Sequence, residues 1–243
     1  MNILIVNDDG INAKGINILT DKLKKYGNIY VVAPDRGRSA ASHSVILNKP
    51  LSFEMVEDGL VKRYQTSGMP ADCVRLASII LGVKFDIVFS GVNDGLNLGT
   101  DIIYSGTCAG AREAVIEGIP GVSVSTDFGS FEIVEKELEK VLELVINNRL
   151  YSKDYLLNIN FPIKGFNESK GIKVCRQGDK IFTSIFSQMP DGLYSVTNEE
   201  EIHDKRIDTD VFLADNGFIT LVPVKIDQTE YLVLDELKAK LGI

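Results

Sequence analysis

Short apolar runs alternate along this chain with polar stretches that contain glycine. Residues 3–6 (ILIV) are continuously apolar and are followed at once by Asn7, Asp8, Asp9 and Gly10. Such a run predicts a buried parallel strand that stops at the carboxyl edge of a sheet. Ile16, Leu19, Leu23 and Tyr26 then recur at helical spacing, with Gly27 placed to end the helix. Residues 29–33 (IYVVA) form a second strand, closed by Pro34. Strand, helix and strand in succession make a βαβ unit, whose two strands are parallel.

The same alternation continues. Residues 35–44 (DRGRSAASHS) are a small, polar loop, and residues 45–56 and 60–65 an extended excursion. Residues 70–81 read as a helix with Pro70 near its start. Residues 85–89 (FDIVF) predict a third strand, followed by Ser90-Gly91-Val92-Asn93, a Gly/Asn/Asp loop to Ser105 and an Ala-rich helix over about 107–117. Residues 121–125 and 156–161 predict strands either side of an amphipathic helix over 131–147. Beyond Pro162 the pattern changes: residues 172–175, 181–186, 193–196 and 218–222 are short strand candidates with few helical intervals. The expected architecture is a doubly wound α/β core over 1–162 with a mostly parallel sheet, plus an antiparallel hairpin-rich extension over 163–243, together one compact unit. Residues 231–241 form a terminal amphipathic helix, serving either core packing or an oligomer contact.

Composition is ordinary for a globular chain, 44% hydrophobic and 25% charged. Lys and Arg number 26 against 34 Asp and Glu, a net charge of −8. An acidic chain without basic runs is a poor nucleic-acid binder, so any phosphate it handles must meet a metal, backbone N–H groups and hydroxyls. Cys73, Cys108 and Cys175 form no CxxC, which argues against a disulfide framework or a zinc site. With no signal-like N-terminus and no membrane-length apolar stretch, a cytoplasmic setting is expected.

Three strand ends carry chemistry. If the strands are parallel, the loops holding Asp8 and Asp9, Ser39 and His43, and Asn93 share one sheet edge, where open α/β sheets bind ligands. Two carboxylates, a hydroxyl and an amide oxygen are hard donors that suit Mg²⁺, Mn²⁺ or Ca²⁺. The alternative is a polar turn with Asp9 or Asn12 as a helix N-cap. Ser105-Gly106-Thr107, opening a helix of small residues, offers free N–H groups and two hydroxyls to a phosphate. The alternative there is a simple N-cap at Ser105 or Thr107. Cys108 reads as core, and His43 either as a proton donor or as a structural histidine.

The segments NDDGIN, VVAPDRGRSAASHS, SGMPADC, SGVNDGLNLGTDIIYSGTCAGAREA and GIPGVSVS, in that order, closely resemble the SurE family of survival proteins. These are metal-dependent 5′-nucleotidases. Weaker echoes run through LLNINFP, CRQG and TDVFLADNGFITLVP. The resemblance implies a Rossmann-like three-layer core, an extended hairpin, and homodimers or homotetramers that exchange C-terminal segments. It implies one divalent ion held by Asp8, Asp9, Ser39 and Asn93, and phosphate contacts at Asn97, Ser105, Gly106 and Thr107. Asn12 and His43 are accessory candidates. Lys14 stands where many members have Pro, Asp94 adds negative charge after Asn93, and Cys108 replaces a frequent Val.

The function expected on these grounds is hydrolysis of nucleoside 5′-monophosphates by in-line attack of a metal-activated water, with Asp8 and Asp9 as catalytic residues. Activities on 3′-nucleotides and polyphosphate are further expectations. The competing reading is a non-catalytic nucleotide-binding module.

Overall fold

The computed structural model describes the backbone of all 243 residues and the side chains of all but residues 197–201. The elements run β1 (Asn2–Val6), α1 (Lys14–Leu23), β2 (Asn28–Pro34), β3 (Phe53–Asp58), β4 (Val61–Thr66), α2 (Pro70–Ile80) and β5 (Ile87–Asp94). They continue with α3 (Asp101–Tyr104), α4 (Gly106–Ile116), β6 (Gly121–Thr126), α5 (Phe131–Asn147), β7 (Tyr155–Asn160) and β8 (Ile172–Val174). Last come β9 (Lys180–Gln188), β10 (Tyr194–His203), α6 (Asp210–Asp215), β11 (Ile219–Lys225) and α7 (Tyr231–Leu241).

Nine strands form one sheet in the order β3-β4-β2-β1-β5-β6-β7-β11-β8. From β4 through β7 every neighbouring pair is parallel. β3 closes one edge antiparallel, and β11 lies antiparallel to β7 with β8 parallel beside it. The strands β9 and β10 pair antiparallel in a separate two-stranded sheet. The α/β reading holds, with one refinement. Of the four strand candidates after residue 162, two join the main sheet rather than forming hairpins, because β11 finds the open edge of β7.

The alternation of side chains along β1 explains the layers. Ile3 and Ile5 pack into a cluster with Ile16, Leu19 and Leu23 of α1 and Val134, Leu138, Val141 and Val145 of α5. Leu4 and Val6 point to the opposite face, into a cluster with Cys73, Val74 and Ala77 of α2 and Ala114 of α4. Each Ile, Leu or Val side chain so buried contributes about 1.5–3 kcal/mol. Because both faces are covered, residues 3–6 of β1 are all apolar and read as an unbroken run.

β5 runs further than its apolar residues predict. After Ser90 the pairing with β6 shifts register and resumes at Asn93 opposite Ser125. Gly91 sits in the shift at φ +133°, and a Cβ there would lie 2.2 Å from the carbonyl oxygen of Val124. Only glycine fits so close an approach. The bulge carries the strand past the core, so Asn93 and Asp94 stand at the sheet edge beside the loop after β1. From β1 the chain moves outward to β2 and returns to β5 on the other side, so the crevice between β1 and β5 is the switch point of the sheet.

Candidate active site

At that switch point, Asn7 shapes the loop that presents the carboxylates. Its Nδ2 donates to the Gly10 carbonyl at 2.9 Å, and the Gly10 N–H donates back to its Oδ1 at 3.2 Å. This closes a turn around Asp8 and Asp9. Helix α1 begins after Ala13 without any side-chain cap, so neither Asp9 nor Asn12 serves as its N-cap. The loop bearing Ser39 docks on both sides of the crevice. Arg38 N–H donates to the Asp8 carbonyl at 2.7 Å, and Ser42 N–H and Oγ donate to the carbonyls of Tyr104 and Ile103 at 2.9 and 2.7 Å.

Asp8, Asp9, Ser39, Asn93, Asn97 and Ser105 all line one cavity of about 780 Å³. Behind it, Thr107 Oγ1 donates to Asp8 Oδ1 across 99 residues of chain. Gly106 packs so tightly under Asp8 that a Cβ would meet both Asp8 Cβ and Oδ2 at 2.9 Å. Thr107 is fully buried and bonded to Asp8, so it and Gly106 support the carboxylate from behind and do not line the cavity. Ser105 is the N-cap of α4, its Oγ accepting from Cys108 N–H at 2.9 Å, and it also lines the cavity.

Two accessory candidates lie elsewhere. Asn12 is exposed and outside the cavity lining. His43 Nε2 sits 2.7 Å from Glu113 Oε2 on α4, also outside the lining. Cys108 is fully buried beside Ser123 and Asn158, and burial raises its thiol pKa, in keeping with a core role.

A model of the "Survival protein SurE" family matches residues 3–184. Proteins called "5′-nucleotidase SurE" from Clostridium botulinum (strain 657 / Type Ba4) and Mannheimia succiniciproducens are 40% and 39% identical. The first comparison covers 97% of both chains, the second 98%. The crystal structure of the SurE protein from Aquifex aeolicus superposes with a TM-score of 0.83 at 37% identity, covering 98% of this chain and 99% of that one. This chain belongs to the SurE family. The segment that matches the SurE model contains every residue lining the cavity.

The electrostatics of the SurE-family site fit a cation. Burial pushes the Asp8 carboxyl up to about 6, with the charge of Asp9 adding to the rise and the Thr107 hydroxyl opposing it. Burial also raises Asp9, against the Asp94 N–H that donates to its Oδ2 at 3.2 Å. Adjacent carboxylates that are both costly to ionise call for a counter-charge. Asn93 Nδ2 donates to the Gly95 carbonyl at 2.7 Å, which leaves Oδ1 as its donor atom toward an ion. With Ser39, the donor set is oxygen throughout, as hard divalent cations require.

The far wall of the cavity was not legible in the spacing of the chain. Thr100, Asp101 and Tyr104 of the α3 region face Lys180, Ile181 and Phe182 of β9. Lys180 Nζ donates to Asp101 Oδ2 at 2.9 Å, with both side chains largely buried. Asp210, at the start of α6, ties these walls together: its carboxylate accepts from Gly99 N–H at 2.9 Å and Gly178 N–H at 2.7 Å. A carboxylate adjoining an apolar run was the available signal for Asp210. No pattern marks the β9 residues, since a hairpin's register and direction depend on what it packs against.

Proposed function

We propose that this SurE-family 5′-nucleotidase hydrolyses nucleoside 5′-monophosphates with one divalent cation held by Asp8, Asp9, Ser39 and Asn93. The observation that carries this is the convergence of those four residues with Asn97 and Ser105 on one cavity, with Thr107 bridging the two halves from behind. When bound, a cation of this kind neutralises phosphate charge and acidifies water. Asn97 and Ser105 present an amide and a hydroxyl to the non-bridging phosphate oxygens, next to the N-terminus of α4. Asp9, the more accessible of the two carboxylates, is placed to accept a proton from the attacking water. His43 is engaged by Glu113 away from the cavity, so the leaving alkoxide takes its proton from solvent. The cavity volume leaves room for a nucleoside beyond the phosphate.

We extend the reading to 3′-nucleotides and short polyphosphates, which share the terminal phosphate. Asp94 and Asp101 in the wall disfavour the more highly charged chain. Residues 163–243 we assign to oligomerisation: α7 has no buried residue, and Leu232, Leu237 and Leu241 lie exposed along it. Dimers or tetramers that exchange this segment would cover it, and deletion of residues 231–243 should then reduce the size seen in solution. No described helix is long and apolar enough to cross a membrane, and the three unpaired cysteines suit the cytoplasm.

The deciding experiment measures phosphate release from AMP, GMP and p-nitrophenyl phosphate with Mn²⁺ or Mg²⁺ and again in EDTA. Release that needs the cation supports the proposal. Binding of nucleotide without release under any metal would replace it with a binding module. Asp9→Asn should cut turnover by about two orders of magnitude or more.

A further inference from the structure

Strand β7 carries a polar ladder whose hydrogen bonds converge on the cavity loop. Asn158 and Asn160 are two residues apart and share a face of the strand. Ser123 and Ser125 of β6 stand opposite them in register. All four side chains are fully buried. An amide in the middle of a parallel sheet is costly unless it is bonded, and apolar residues would suit these positions better.

The bonds go to Asn97. Its N–H donates to Asn160 Oδ1 at 2.8 Å, and Asn160 Nδ2 donates to its carbonyl at 3.1 Å. Asn158 Nδ2 donates to the same carbonyl at 2.8 Å, while Asn158 Oδ1 accepts from Ser123 Oγ at 2.8 Å. Asn97 Nδ2 donates to Ser125 Oγ at 2.7 Å. One side chain, Asn160, thus offers Asn97 the paired acceptor and donor that a neighbouring β-strand would offer. A primary amide has two N–H donors. Ser125 engages one of those on Asn97, and the other is available to a ligand in the cavity that Asn97 lines.

We propose that Asn158, Asn160 and Ser125 are the positioning residues of the phosphate subsite. They do not touch substrate; they set where Asn97 stands and which way its free N–H points. The inference rests on the phosphatase reading only for the identity of the ligand.

The test uses the full-length, Mn²⁺-loaded protein with Asn160→Asp and Ser125→Ala. The first keeps the acceptor for Asn97 N–H but turns a carboxylate oxygen toward the Asn97 carbonyl. The second removes the acceptor that orients the Asn97 side chain. KM for AMP, inhibition by inorganic phosphate and, independent of turnover, the Kd of inorganic phosphate are compared with the thermal midpoint. The expected result is a rise of about tenfold in KM, Ki and Kd for Asn160→Asp and a few-fold rise for Ser125→Ala. A displacement approaching 1 Å costs up to about a hundredfold. Ser125→Ala unpairs one Asn97 N–H and should lower the thermal midpoint by only a few degrees, the change expected from one lost buried hydrogen bond. In an Asn97→Ala background either substitution should then weaken phosphate little further, because both act through that one contact.

Phosphate affinity unchanged in Ser125→Ala, or effects that add fully to those of Asn97→Ala, would overturn the inference. If Asn160→Asp does not fold, Ser125→Ala alone decides. A wild type that binds phosphate but releases none from AMP would sink the phosphatase reading while leaving the ladder testable through Kd.

Discussion

Replacing Asp8 by Asn should make the metal-free protein more stable while abolishing turnover. Asp8 is buried, and its carboxyl titrates at about 6 in the fold against an ordinary value of 3.8. Between those two values the native state binds more protons than the unfolded state, so stability falls as pH rises from about 4 to about 6. The gap of about two units corresponds to about 3 kcal/mol lost by pH 8. Asparagine keeps an oxygen to accept from Thr107, so the substitution removes the charge and little else. For a chain of this length, about 2–4 °C accompanies each kcal/mol, so Asp8→Asn in EDTA at pH 8 should melt roughly 6 °C or more above wild type. Calorimetry at a series of pH values checks the sign: the difference should shrink as pH drops through 6 and vanish near 4, where both side chains are neutral. Saturating Mn²⁺ should reverse the order, because cation at a thousand times its Kd stabilises wild type alone by about 4.1 kcal/mol, more than the roughly 3 kcal/mol lost to the buried charge. An Asp8→Asn protein that melts at or below wild type in EDTA at pH 8 would show that the carboxylate is well solvated or already paired, and the argument for a cation would lose its electrostatic basis.

Gly106→Ala should lower kcat/KM about tenfold or more, since its Cβ would meet Asp8 at 2.9 Å and the carboxylate must yield; activity within twofold of wild type would mean that Asp8 tolerates the shift. Asp210→Ala strips the acceptor from the N–H groups of Gly99, Gly178 and Val211 and should cost about 3 kcal/mol or more in urea unfolding; a loss below about 1 kcal/mol would show that water replaces it. His43→Gln should leave kcat within about threefold, whereas a general acid would cost about a hundredfold or more; the pH–rate profile of that variant separates the two.

Much of the core was legible because the strands and helices that bury both faces of a parallel sheet leave unambiguous runs. Residues 3–6 and 29–33 could be placed side by side from the βαβ rule alone, and the edge that joins Asp8, Ser39 and Asn93 followed from it. The bulge at Gly91 was not legible: the sequence there reads as a loop, and only the approach of the Val124 carbonyl shows why the strand continues. Thr107 and Gly106 were recognised as site residues on the expectation that a helix N-terminus meets phosphate. The structure packs both against Asp8, because α4 meets the end of β1 where Gly110 lies against Val6. His43 looked like site chemistry because it follows Ser39 by four residues, but the loop turns it toward Glu113. Residues whose position depends on one strand's own burial could be read from the chain; those set by a second, distant segment, such as Lys180 and Asp210, could not.

The bond from Thr107 to Asp8 gives the site a thermodynamic property as well as a geometry. One carboxylate belongs to the proposed cation shell, and it is held by the first turn of α4, whose N-cap Ser105 lines the cavity proposed for phosphate. Any ligand that settles the start of α4 therefore also settles Asp8, and any ion that settles Asp8 acts back on the helix. Such coupling is reciprocal: the factor by which phosphate tightens the cation must equal the factor by which the cation tightens phosphate. The two ligands would then load as a pair, and a protein short of either would hold the other weakly. For a phosphatase, that arrangement lets product departure loosen the metal site and metal concentration govern how long product stays.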